Sequence, residues 1–349
     1  MSQCLFMGRR AVSLENADLR VTVLEEGGHV AEVFDKRAHV NPLWVPDWPS
    51  VEPSVFSSEA YVRFGTGSDA KLLAGIMGHN LCLDLFGGPS TAEAAAGMTA
   101  HGEGSVNKYQ ITETPAGIII SLHLALAQLQ FTRTLELRGK SVLIRETVEN
   151  LTAADRPLAW TQHVTLSTPF LDPATTQFRA SMKKSIVTES DPGENLYLAA
   201  SQPFEWPLAP RKDGGTADLQ RMNASAPASA YTAHVADPAK EDAFFLAFSP
   251  KYQLAFGYVW KRAEFPWMGI WEENCSRRWS PWDSHTITRG MEFGVSPFPE
   301  TRVDMIERGK LLGERTFRWL PALGKLHAEY WIVTQSCAEA PETLQKPQL

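Results

Sequence analysis

The 349-residue sequence has no GxGxxG loop, no P-loop, no HExxH pair and no CxxC pair. The first two absences remove the glycine turns that bring backbone N–H groups against phosphates, so a nucleotide-binding α/β fold is poorly supported. The other two remove common zinc and redox spacings. Cys4, Cys82, Cys275 and Cys337 are scattered too widely for a disulfide frame and read as reduced thiols. No apolar run approaches the roughly 18 residues that cross a bilayer, so no membrane partner is expected. Positive charge is also short: 33 Lys and Arg against 40 Asp and Glu leave a net charge of -7 and no footprint for nucleic acid. The opening MSQCLFMGRRAV sets its arginines after a short apolar stretch, unlike a secretory leader, and a cytoplasmic protein is expected.

Helical periodicity is scarce as well. Residues 92–97, AEAAAG, form the best short helix candidate. Alternating apolar and polar residues predict strands at Leu19–Leu24 and His29–Asp35, joined at Gly27-Gly28. Further strands are predicted at Tyr109–Glu113, Gly117–Leu126 and Gln130–Leu137, then at Ala243–Phe248, Leu254–Lys261, Met268–Glu273, Gly290–Ser296 and Ala328–Thr334. Turns every 8–12 residues or so are the mark of an all-β chain, and two sheets over one core are its natural solution. Residues 1–337 read as a single domain. Residues 188–228, dense in Pro, Gly, Ser and Asp, read as a long surface excursion, and residues 338–349 as a flexible tail.

The chain is organised around residues 141–172, SVLIRETVENLTAADRPLAWTQHVTLSTPFLD, which read as two antiparallel strands with a polar turn closing at Arg156-Pro157. Val142, Ile144, Glu146 and Val148 share one face of the first strand. In the second, Trp160 and Gln162 share one face, and Thr161, His163 and Thr165 the other. A histidine between threonines in a buried strand needs partners; it is either a satisfied structural group or part of a site.

A V-x-N strand end, a Pro-containing turn and a strand with a lone His resemble the galactose mutarotase-like (aldose 1-epimerase) superfamily. An upstream His-Gly pair, His101-Gly102 in TAHGEGS, and a downstream glutamate, Glu292 in RGMEFGVSPFPET, follow in the family's order. The resemblance implies a large antiparallel β-supersandwich with a sugar site on the concave face of one sheet. It implies Glu292 as base, His163 as acid and His101 as a support for the ring oxygen or the adjacent hydroxyl. No cofactor and no metal are expected. Glu272 and Glu273, in MGIWEENCSRRW, are rival carboxylates.

The chain departs from the pattern where the family carries an arginine: MGHNLCLDLFGG offers His79 and Asn80 instead. That points to a divergent branch, with no assumption of galactose or glucose. Five of the eleven tryptophans fall between Trp260 and Trp282, beside Arg277 and Arg278. An indole suits the apolar face of a sugar and an arginine its polar rim. Candidate substrate contacts are therefore His79, Asn80, Gln162, Trp271, Glu273, Arg278 and Trp279. His79, His101 and His163 with a glutamate have no metal-ligand spacing. His123, in IIISLHLAL, reads as a packed structural histidine. The expected partner is a small-molecule carbohydrate. Two alternatives stand: a sugar lyase or hydrolase on the same scaffold, using Glu103 or Glu272 as a second carboxylate, and a non-catalytic carbohydrate-binding protein.

Overall fold

The computed structural model describes residues 1–189 and 193–347. Two large antiparallel sheets face one another. The larger begins as a meander, Ser2–Phe6, Arg9–Glu15, Leu19–Leu24 and Val30–Asp35. It continues through His79–Asp84, Arg156–Ser167, Ile287–Gly294, Trp267–Asn274, Ala228–Ala236, Met182–Val187 and Pro203–Glu205. The smaller runs Gln177–Ala180, Asp242–Ser249, Leu254–Lys261, Lys325–Ser336, Ser141–Asn150, Leu129–Arg138, Gly117–Leu124 and Gln110–Thr114. The core between them takes alternate residues from each strand, among them Val21, Leu83, Trp160 and Phe293 from one sheet and Ile120, Phe131, Ile144 and Tyr330 from the other. Among the described residues no helix is long and apolar enough to cross a membrane. The short helix appears at Thr91–Ala95, started by a capping box between Ser90 and Glu93.

Four sequence expectations change. Ser141–Asn150 and Arg156–Ser167 run antiparallel but are not paired: the first bonds to Leu129–Arg138 and Lys325–Ser336, the second to His79–Asp84 and Ile287–Gly294. The polar turn crosses between sheets, so the faces carrying Glu146 and Gln162 oppose each other through the core. His123 is exposed, because its strand alternates and it falls on the outward side. The expected C-terminal tail instead lays Leu344 onto the outer face of the smaller sheet against Trp331 and Phe248. The excursion carries strands of its own, at Pro203–Glu205, Leu208–Pro210 and Thr216–Asp218, over a small apolar cluster of Leu196, Leu198 and Leu219.

A polar network sits where an apolar core is expected. Arg133 Nε donates to Glu146 Oε1 at 2.6 Å, and both side chains are fully buried. Trp160 Nε1 at 2.9 Å and Gln162 Nε2 at 2.7 Å donate to Glu146 Oε2, while Tyr330 OH donates to Oε1 at 2.7 Å. Arg133 also reaches Gln162 Oε1 at 3.1 Å, and His79 Nε2 lies 2.9 Å from the same oxygen. Burial opposes the charge on Arg133, and Glu146 together with Tyr330 and Tyr109 outweighs it. Replacing one partner leaves the other as an uncompensated buried charge. Glu146→Ala is therefore expected to lower unfolding free energy by about 3–5 kcal/mol in urea titration. Arg133→Met combined with Glu146→Leu should recover part of that loss, and a Glu146→Ala midpoint equal to wild type would refute the role given to the pair.

Candidate active site

The core network sets which face of the Arg156–Ser167 strand looks outward. With Trp160 and Gln162 turned into the core, Thr161, His163 and Thr165 must point to the opposite face. In register, His163 stands between Asn80 on one neighbouring strand and Glu292 on the other. Three side chains 83 and 129 residues apart along the chain thus form one cross-strand row. His163 Nε2 lies 3.1 Å from Glu292 Oε1, and His163 Nδ1 lies 3.1 Å from Thr165 Oγ1.

His101 reaches the row from a loop. It holds φ 62° and Gly102 follows at φ 77°, two successive left-handed residues. A Cβ at Gly102 would sit 2.1 Å from the Leu83 carbonyl oxygen, so glycine is required there. The turn brings the His101 ring within 4.9 Å of the His163 ring, centroid to centroid. Asn80 Oδ1 lies 3.1 Å from His101 Nδ1; a carbonyl oxygen only accepts, so Nδ1 carries the ring proton.

Glycines make room around Glu292. Gly290 and Gly294 flank it on its own strand face, and Gly269 faces it on the next strand. A Cβ at Gly290 would come within 2.3 Å of Glu292 Oε1. Tyr231, from the strand beyond, reaches across Gly269 and places its hydroxyl 3.4 Å from Glu292 Oε2.

His101, His163, Tyr231 and Glu292 open into a cavity of about 420 Å³ walled by Trp44, Trp271 and Trp282, with Trp279 half-exposed at its mouth. Trp44 and Trp282 stack at 5.8 Å, and Trp271 meets Trp282 edge-on at 5.9 Å. Arg277 lies over both Trp282, at 4.5 Å, and Trp271, at 5.0 Å.

Burial pushes the Glu292 carboxyl up to about 8, against the smaller opposing pulls of Tyr231 and Arg277. It pushes His163 down to about 4, opposed by a backbone hydrogen bond and helped by Arg277. His101 is held well below the usual imidazole range by burial first and then by His163 and His29. The 3.1 Å contact is therefore that of a neutral acid beside a neutral imidazole, not an ion pair. Glu292 Oε1, Trp271 Nε1 and Thr161 Oγ1 are buried without a hydrogen-bond partner among the described residues. Unpaired buried polar atoms are costly and suit a polar ligand.

Of the sequence candidates, His101, His163, Glu292, Trp271 and Trp279 line the cavity, and Asn80 supports His101 from beneath. Gln162 and His79 do not: both face the core, where Gln162 bonds Glu146 and His79 bonds Gln162 and Tyr258. Arg278 points outward, 72% exposed and 3.2 Å from Glu194, because it is one residue out of phase with Arg277. Glu273 accepts from the Ser276 and Arg277 backbone and lies 3.6 Å from the Arg277 guanidinium, so it holds the loop without lining the cavity. Glu272, the other rival to Glu292, faces the other way, toward Tyr197 and Arg289. Glu103 accepts from the Ala127 backbone and is likewise outside the cavity. Sequence reasoning missed Tyr231, Arg277, Trp44 and Trp282 as lining groups. Tyr231 was legible only through the alternation of ASAYTAHVA, which lies at the end of the expected excursion.

No protein-family model matches the chain, and no curated protein matches it by sequence. Solved structures do match by shape. A candidate aldose 1-epimerase from Klebsiella pneumoniae superposes with a TM-score of 0.66 at 13% identity, covering 95% of this chain and 80% of that one. A galactose mutarotase-like protein from Clostridium acetobutylicum gives 0.62 at 13% identity over 96% and 98% of the two chains. A galactose mutarotase related enzyme from Lactobacillus acidophilus gives 0.59 at 11% identity over 95% and 99%. These likenesses span nearly the whole chain with little sequence in common. The chain has the galactose mutarotase-like β-sandwich fold.

Proposed function

We propose that the chain is an aldose 1-epimerase-like isomerase that interconverts the anomers of a small carbohydrate. The observation that carries this reading is the His163–Glu292 contact at 3.1 Å on the floor of an indole-walled cavity. Mutarotation needs one group to take the anomeric hydroxyl proton and another to protonate the ring oxygen. A carboxyl and an imidazole close enough to pass one proton between them meet that need. Transfer of the proton from Glu292 to His163 yields a carboxylate able to accept from the anomeric hydroxyl and an imidazolium able to donate to the ring oxygen. The ring opens, the C1–C2 bond turns, and closure reverses both transfers, so each group regains its starting state. His101 Nε2, left as an acceptor by the Asn80 bond, suits a neighbouring sugar hydroxyl. The indoles offer the apolar ring face a surface, as carbohydrate sites commonly do.

The alternatives have less support. A binding protein without chemistry needs no carboxylate beside His163. A hydrolase needs two carboxyl groups about 5–9.5 Å apart across the bond, and the other acid lining the cavity, Asp69, is exposed at its mouth.

The test is anomer exchange, followed by NMR over neutral, acidic and phosphorylated sugars. Wild type should accelerate exchange of at least one sugar, and His163→Asn and Glu292→Gln should each lose about 10²-fold or more. Binding without exchange for every sugar would overturn the isomerase reading. The same pair sets the pH dependence. Between about 4 and about 8 it holds one proton; below that range His163 takes a second, and above it Glu292 loses the one it has. The exchange rate is expected to be bell-shaped with limbs near those values, and a flat profile from pH 5 to pH 10 or so would count against a shared proton.

A further inference from the structure

Tyr231 is a buried phenol that the exchange just described does not use. Its hydroxyl has two oxygens in reach: Glu292 Oε2 at 3.4 Å and the Pro297 carbonyl at 3.2 Å. A phenol has one proton to donate and lone pairs to accept with. It can therefore turn between them with the protonation state of Glu292. When the carboxyl is protonated, its proton lies on Oε1 toward His163, and Tyr231 donates to Pro297. When the carboxyl is ionised, the hydroxyl turns and donates to Oε2 instead. We propose that Tyr231 is the positioning residue of this site, a hydroxyl rotor that donates to the Pro297 carbonyl while Glu292 holds its proton and turns to donate to the carboxyl once it ionises.

Backbone geometry supports the assignment. Tyr231 stands two strands away from Glu292, and the strand between carries Gly269 at the crossing point. A Cβ there would lie 2.1 Å from the Tyr231 oxygen and 3.4 Å from Glu292 Oε2, so glycine is what lets the two meet. Other ionisable groups around Glu292 are accounted for. His163 faces Oε1, Arg277 approaches from the loop above, and Cys82 lies across the sheet; Glu300 faces the Tyr231 side, with His101 beyond His163. Among the described residues the Tyr231 hydroxyl is the hydrogen-bond donor that Oε2 has. Burial keeps the phenol proton in place, well above the usual range, so Tyr231 turns its proton and does not release it.

The inference rests on the isomerase reading for what Glu292 does, but its test need not. Tyr231→Phe keeps the ring and removes the hydroxyl; Gly269→Ala keeps the hydroxyl and displaces it. The Glu292 carboxyl is titrated in each by ¹³C NMR of labelled glutamate, assigned by its loss in Glu292→Gln, with folding checked by near-ultraviolet circular dichroism. The donor to the ionised form is lost in both, so both midpoints should move above that of wild type. Where a sugar is turned over, kcat should fall about 10- to 100-fold with KM nearly unchanged, and the alkaline limb of the profile should shift with the titration. Unmoved midpoints in two folded variants would overturn the proposal even if exchange is found. Shifted midpoints without exchange on any sugar would sustain the positioning role and remove the isomerase reading. A rise in KM alone would make Tyr231 a substrate contact and also overturn it.

Discussion

The Arg133–Glu146 pair is the contact on which the rest depends. It lies between the sheets, on strands of the smaller one, and its spare hydrogen-bonding capacity is filled by Trp160 and Gln162 of the larger. Those two residues lock the phase of the strand that carries His163. A slip of one residue would put His163 against Glu146 and Gln162 in the cavity, since alternate residues change sides together. The buried charge is thus tied to specificity of register more than to gross stability, which an apolar core would supply as well. Tyr330 and Tyr258, with His79, extend the same network across the core.

The site on the other side depends on subtraction. Gly269, Gly290 and Gly294 withhold side chains around Glu292; the carboxylate and Tyr231 occupy the space at the first two, and Thr161 that at the third. Glycine within strands weakens them and usually marks a close approach. Here three occur on one sheet face, each beside a polar atom. Burial then does the rest of the tuning: the same exclusion of water raises Glu292 and lowers His163, so one physical cause brings both toward neutrality.

Much of this was legible in the chain. Alternation in residues 141–172 separates Glu146 and Gln162 from His163 correctly, and the order of His101, His163 and Glu292 matches the resemblance. What periodicity could not tell is which strands pair, because a hairpin and a crossover between sheets have the same pattern. That ambiguity made Gln162 look like a ligand contact when the opposing strand was supplying its partners. Arg277 and Arg278 were confused for a related reason: they follow the strand end, where alternation no longer fixes direction. Tyr231 was hidden by composition, in an Ala-rich run where Thr232 and Val235 are the β-branched residues.

The tryptophan cluster has an optical consequence. In five of their six pairings Trp44, Trp48, Trp271 and Trp282 have ring centroids 5.2–6.3 Å apart, close enough for their excited states to couple. Three of them wall the cavity, and a guanidinium lies over two. Emission and exciton circular dichroism of this group therefore report on the cavity itself, while Trp160 and Trp260, buried in the core between the sheets, form a constant background. The protein carries its own label at the point where a ligand would enter.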